Sequence, residues 1–292
     1  MNETIFAPAL DAVAARYHGF VIDQWGVLHD GGAPYPGAID CLRSLREMGK
    51  QIVLLSNSGK RAEHNGHRLA EMGFGHDLFD AIVTSGEACW QALFDRTDPA
   101  FARLGSRCLL WARDSDTSHV NGLDLDLVDR ADDADFLYLA GVPDYAELDG
   151  YLEALVIGAR RGLPLICANP DIIAIYPNGG RGMAPGGVAR HYEGLRGEVI
   201  YVGKPHRPVY ELCLQKLEGL SRDGILGIGD SLEHDIAGGN GIGIDTALLA
   251  HGVHRDAFDG ATTGEAKKAA LDQLATSYGT RPNYVLPSFV WS

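Results

Sequence analysis

Cysteine is scarce in this chain and never paired. Cys41, Cys89, Cys108, Cys167 and Cys213 are scattered through 292 residues with no CxxC pair. That distribution excludes a disulfide framework and describes reduced, mostly buried thiols in a cytosolic protein. His and Cys also lack the spacing of a zinc site. No apolar run approaches the roughly 20 residues needed to span a bilayer. The first residues, Met1-Asn-Glu-Thr-Ile-Phe6, have neither the basic start nor the apolar stretch of a signal peptide. A cytoplasmic protein without a membrane partner is therefore expected. Positive charge is short as well: 25 Lys and Arg face 39 Asp and Glu, a formal net charge of −14. Nucleic-acid phosphates would be repelled, whereas a small phosphorylated metabolite is not excluded, because one metal and one lysine reverse the field locally. Internal repeats and low-complexity segments are missing too.

What is present is an ordinary globular composition, 46% hydrophobic and 22% charged. The length favours two domains or one large one. Strand-like apolar runs alternate with helix-like ones, the pattern of an α/β fold with a largely parallel sheet. Ala38 to Met48 reads as an amphipathic helix stopped by Gly49. From Ser85 to Arg196 a second α/β series runs through Cys108–Ala112, Phe136–Ala140 and Leu165–Ala168. Val199 then resumes the first pattern. The expected organisation is a discontinuous core, residues 1–84 and 197–292, with an inserted α/β domain at 85–196. Asp129 to Asp135 is read as a solvated acidic turn. Arg181, beyond Tyr176-Pro-Asn-Gly-Gly180, is read as an exposed loop arginine.

Four apolar strands end in polar residues. Phe20-Val-Ile-Asp23 leads into Gln-Trp-Gly, Ile52–Leu55 into Ser56-Asn57-Ser-Gly59, Val199–Val202 into Gly203-Lys204-Pro205, and Ile225–Gly229 into Asp230. The carboxyl edge of a parallel sheet is where α/β proteins bind ligands. Asp23 at such a tip can attack phosphorus and form an aspartyl-phosphate; read alone, it would as readily start a turn. Ser56 and Asn57 offer a hydroxyl and N–H groups to a phosphate, and a helix-capping serine is the bland alternative. Lys204, held between Gly and Pro, can neutralise transferring phosphoryl oxygens. Asp230 and Asp235 supply the hard oxygen ligands that suit Mg²⁺.

In this order, Asp-Gln-Trp-Gly-Val, Leu-Ser-Asn-Ser-Gly, Gly-Lys-Pro and Gly-Asp-Ser-(three residues)-Asp resemble the four motifs of the haloacid dehalogenase (HAD) superfamily. The long insertion resembles the large α/β cap of the NagD-like, nitrophenylphosphatase-type branch. Pro36-Gly37, Thr84-Ser85-Gly86 and Asn169-Pro170-Asp171 are further matches to it. The resemblance implies a Rossmann-like core, Mg²⁺ dependence and hydrolysis of a small phosphomonoester. It makes Asp23 the nucleophile and a metal ligand, and Asp230 the second carboxylate ligand. The backbone carbonyl of Trp25 is a further ligand, and Asp235 supports the metal from behind or ligates it directly. Ser56 and Lys204 hold the phosphate, and Asn169 to Asp171 lie on a cap loop facing substrate. Related capped enzymes often pair through their caps, so a homodimer of that kind is an expectation.

One position departs from the pattern. Phosphatases of this superfamily usually carry a second aspartate two residues after the nucleophile, as general acid and base; here it is Trp25. Loss of a positioned acid/base typically costs about 10²–10⁴ in rate, or roughly 3–5 kcal/mol of barrier. Esters with acidic leaving groups should suffer least. His29 and Asp30 are near in sequence, although a solvent-facing turn is the commoner fate for both. Two alternatives follow: a weakly active or inactive sensor of a phosphorylated metabolite, and a metal-free carbon–halogen hydrolase. Clustered Asp230 and Asp235 argue against the latter, because without a cation they repel.

Overall fold

The computed structural model describes residues 3–144, 147–175 and 180–292. Residues 176–179, part of the loop expected before Arg181, lie outside that set. By internal contacts the chain forms two compact units. The first comprises Met1–Ser56, Gly66–Val83 and Tyr210–Ser292; the second comprises Asn57–Asn65 and Thr84–Val209.

The first unit is built on a seven-stranded sheet. Its strand order is Ile5–Phe6, Tyr284–Leu286, Asp245–Leu249, Ile225–Gly229, Gly19–Asp23, Gln51–Ser56 and Ala81–Thr84. The pairings from Ile5–Phe6 across to Gln51–Ser56 are all parallel. Gly19–Asp23 is buried along its whole length, which explains why it reads as a continuous apolar run rather than an alternating one. Phe20 and Ile22 pack with Leu42, Leu45, Ile52 and Leu54 in the main core cluster. The helix Ala38–Glu47 covers this face, burying Ala38, Cys41, Leu42 and Leu45 at helical spacing.

The second unit holds a five-stranded parallel sheet, ordered Val199–Tyr201, Leu165–Cys167, Phe136–Leu139, Arg107–Trp111 and Asp126–Leu127. Val199–Tyr201 had been expected to return to the first sheet. It pairs instead with Leu165–Cys167, so the chain leaves the second unit only at Val209. The expected boundaries at 84/85 and 196/197 thus differ from the observed division. An apolar run announces a strand but not the sheet it joins; this one is half-buried, as an edge strand should be.

Asn57–Asn65 belongs to the second unit because its loop is bonded into the helix Ser85–Asp95. Thr84 Oγ1 donates to the Lys60 carbonyl at 2.6 Å, and Arg61 makes a bidentate pair with Glu87 at 2.8 and 3.0 Å. Close backbone approach seals the contact. A Cβ at Gly59 would lie 1.9 Å from the Ala140 carbonyl oxygen, and one at Gly86 would lie 1.9 Å from the Gly59 carbonyl oxygen. The acidic run is less free than its composition suggests: Asp135 pairs with Arg107 at 2.7 Å and accepts the Arg107 N–H at 3.0 Å. Arg181 is exposed, within the strand Arg181–Met183.

Among the described residues no helix is long and apolar enough to cross a membrane. All five cysteines are buried and none is in a disulfide, and burial pushes the Cys89 thiol up to about 12 and raises Cys41, Cys108 and Cys167 as well. Only thiolates react appreciably with disulfide reagents. The folded protein should therefore stay inert to Ellman's reagent near neutral pH and release five thiols on denaturation; a rapid native-state reaction would contradict this packing.

Candidate active site

Three candidate site side chains of the first unit sit where the sheet register puts them. Ile22 lies opposite Ile228, and Asp23 lies opposite Leu55. Asp23, Ser56 and Asp230 consequently end three adjacent parallel strands at the same edge. Beyond Asp230, a five-residue helical turn Leu232–Ile236 begins at Ser231, whose Oγ accepts the His234 N–H at 3.2 Å. That turn brings Asp235 back toward the strand tip. Carboxylate oxygens of Asp23, Asp230 and Asp235 all lie within 4.8 Å of one another, and all three residues are buried. Glu233 is exposed and His234 half-buried.

Backbone donors fix the orientation of two of these carboxylates. Val253 N–H donates to Asp230 Oδ2 at 3.0 Å, and Ser231 N–H donates to Asp235 Oδ2 at 3.0 Å. Glycines make room for them: a Cβ at Gly26 would fall 2.2 Å from Asp230 Oδ2, and one at Gly252 would fall 2.1 Å from Asp230 Cβ. Val253 and Gly252 were not anticipated from the sequence. They follow the strand Asp245–Leu249, and nothing in His-Gly-Val-His marks them as partners of a carboxylate. Three buried oxyanions at this separation match the hard-donor set that Mg²⁺ takes. The residues fit such an ion.

Trp25 is 47% exposed. Its ring stands edge-on to His29 at 6.1 Å and covers Gly31, where a Cβ would meet Cζ3 at 2.1 Å. His29 does not face solvent, contrary to the expectation for it; it is buried, with Nδ1 accepting the Gly31 N–H at 3.0 Å. Burial, aided by the Arg68 charge, pushes its pKa down to about 4. Its acceptor nitrogen is already engaged and its lowered pKa makes it a weak proton acceptor, so it makes a poor general base. Asp30 is a turn residue, accepting the Gly32 and Ala33 N–H groups at 2.8 Å.

In the second unit, Lys204 is buried and its N–H donates to Asn57 Oδ1 at 2.7 Å. The expectation for Asn57 concerned its backbone N–H as a phosphate donor and left its side chain unassigned. The side-chain amide bonds Lys204 and Asp171. In the Asn169–Asp171 loop, Asn169 Oδ1 accepts the Asp171 N–H at 2.9 Å, and Asp171 Oδ1 accepts from Asn57 Nδ2 at 2.9 Å.

Two family models match the sequence. One, described as haloacid dehalogenase-like hydrolase, covers residues 20–126, which contain Asp23 and Ser56. The other, described as HAD-hydrolase-like, covers residues 201–291, which contain Lys204, Asp230 and Asp235. The chain belongs to the haloacid dehalogenase-like hydrolases. Human chronophin is 28% identical over 273 residues, covering 87% of this chain and 88% of that protein. The sugar-phosphatase AraL of Bacillus subtilis is 29% identical over 285 residues, with 92% and 90% covered. The p-nitrophenyl phosphatase of Archaeoglobus fulgidus has a solved structure that superimposes with a TM-score of 0.74 at 26% identity, covering 94% of this chain and 97% of its own. This HAD-type hydrolase thus has named phosphatases as relatives, in keeping with the NagD-like branch.

The buried imidazole yields a pH prediction. An unfolded His29 takes up a proton near its ordinary pKa of 6.5, whereas the folded one resists until about 4. Its contribution to stability is complete above pH 6.5 and drains away between 6.5 and 4. Replacing it, as in His29→Gln, should flatten that part of the stability profile by up to about 1.4 kcal/mol per pH unit. Urea titrations at pH 7, 6 and 5 test this; parallel profiles for the two proteins would refute it.

Proposed function

We propose that this HAD-type hydrolase is a Mg²⁺-dependent phosphatase of small phosphomonoesters that works through an aspartyl-phosphate on Asp23. The observation that carries the reading is the convergence of Asp23 and Asp230, at the ends of neighbouring strands, with Asp235 from the helical turn that follows. Asp23, Asp230 and the Trp25 carbonyl would hold Mg²⁺, with Asp235 behind them or as a further ligand. When bound, the ion supplies positive charge that offsets these carboxylates and the phosphoryl oxygens.

An Asp23 carboxylate oxygen attacks phosphorus while the bond to the ester oxygen breaks, and the departing oxygen leaves with the bonding pair as an anion that is protonated by solvent water where its basicity requires it. Water then attacks the same phosphorus, the bond to Asp23 breaks, and inorganic phosphate leaves with the carboxylate restored. Ser56, the N–H of Asn57 and the ammonium of Lys204 hold the phosphoryl oxygens. An indole replaces the usual acid at position 25, and it neither gives nor takes a proton at neutral pH. The first step therefore favours leaving groups that need no proton, such as phenols.

Turnover of p-nitrophenyl phosphate should require Mg²⁺ and vanish in Asp23→Asn and Asp230→Asn. Lys204→Met should lose about 10²-fold or more. Added Mg²⁺ should raise the Tm of the wild type by the ligand-linkage relation, and much less that of Asp230→Asn. Undiminished turnover in Asp23→Asn, or an unmoved Tm at saturating Mg²⁺, would defeat the proposal.

Trp25 generates a separate expectation. Trp25→Asp supplies the missing acid and should raise kcat for alkyl phosphates about tenfold or more, within the range of a positioned acid/base, with little change for p-nitrophenyl phosphate. Equal effects on both ester classes would show that proton transfer is not what position 25 limits.

A further inference from the structure

The Asn57 side chain makes four hydrogen bonds inside the second unit. Its Oδ1 accepts the Lys204 N–H at 2.7 Å and the Ser85 hydroxyl at 3.4 Å. Its Nδ2 donates to Asp171 Oδ1 at 2.9 Å and to the Lys204 carbonyl at 3.4 Å. A primary amide has two acceptor sites and two donors, so this set uses its full capacity. Both main-chain polar groups of Lys204 thereby rest on one amide, as they would on a neighbouring strand.

The surroundings stiffen that arrangement. A Cβ at Gly203 would meet Pro170 Cδ at 2.5 Å, and Ala168 O and Ser85 Oγ at 2.7 Å, so the residue before the lysine is packed against the Asn169–Asp171 loop. That loop is closed by Asn169 on the Asp171 N–H and by the Gly186 N–H on the Asp171 carbonyl at 2.9 Å. Asp171 is thus a braced anchor for the amide.

We propose that Asn57 is a positioning residue for Lys204: its amide, braced by Asp171, clamps the lysine backbone and so sets where the ammonium is delivered. The inference rests on the reading of Lys204 as a phosphate-holding cation. It assigns Asp171 to the clamp, where the sequence had suggested a substrate-facing role.

The donor and acceptor polarity of the Asn57–Asp171 pair gives a direct test. Asn57→Asp keeps an acceptor for the Lys204 N–H but sets a carboxylate against Asp171. It should lower kcat for p-nitrophenyl phosphate about 10²-fold, the cost of an ångström-scale misplacement, with a much smaller change in KM. The reciprocal double variant Asn57→Asp with Asp171→Asn restores a donor facing an acceptor and should recover most of that loss. Amide hydrogen exchange at Lys204 should accelerate in Asn57→Ala while the Phe136–Leu139 strand stays protected, a readout independent of turnover. Wild-type kcat in Asn57→Asp, a double variant no better than the single one, or unchanged exchange at Lys204 would each overturn the clamp. Inactive Lys204→Met beside fully active Asn57→Asp would sink this inference alone; full activity in Lys204→Met would sink the parent reading of the lysine.

Discussion

Repulsion among three buried carboxylates is the constraint around which the first unit is organised. Like charges a few ångströms apart raise one another's energy steeply where water is scarce. A chain that folds Asp23, Asp230 and Asp235 to within 4.8 Å needs strong reasons for the grouping. Sheet register forces the first two together, and the helical turn after Ser231 brings in the third. Main-chain N–H groups of Val253 and Ser231 then orient two of the carboxylates. A divalent cation is the natural complement of what repulsion remains, and it is also what a phosphoryl group needs when it meets an anionic nucleophile.

The sequence carried much of this geometry, for a definable reason. Strands buried on both faces appear as unbroken apolar runs, so their polar termini stand out; that is how Asp23, Ser56 and Asp230 could be found before any coordinates. The helix Ala38–Glu47 was equally visible from its periodicity and its glycine stop. Strand partnership was not visible. Val199–Tyr201 looks like any other strand, and only pairing with Leu165–Cys167 tells which sheet holds it. Side-chain amides were the other blind spot: Asn57 follows the phosphate-loop pattern, yet its bonding is fixed by Lys204 and Asp171, more than a hundred positions away.

Position 25 separates what an α/β site needs for binding from what it needs for proton transfer. A metal ligand supplied by a backbone carbonyl tolerates any side chain, so an indole there would not weaken the proposed cation site. Proton transfer has no such tolerance. His29, the nearest titratable ring in sequence, is occupied as an acceptor for Gly31 and held neutral by burial, and it stands edge-on to Trp25. On the proposed mechanism, esters whose leaving groups depart as stable anions are the best match.

The carbonyl contacts at Gly59 and Gly86 reach beyond this one chain. With only 1.9 Å between each would-be Cβ and a main-chain oxygen, neither position can gain even a methyl group unless two backbones part. A relative that carries alanine or serine at either place must route its loop differently, however faithfully it keeps the strand-end motifs. These two glycines therefore offer a criterion for sorting descendants of this architecture that ignores the reacting residues altogether.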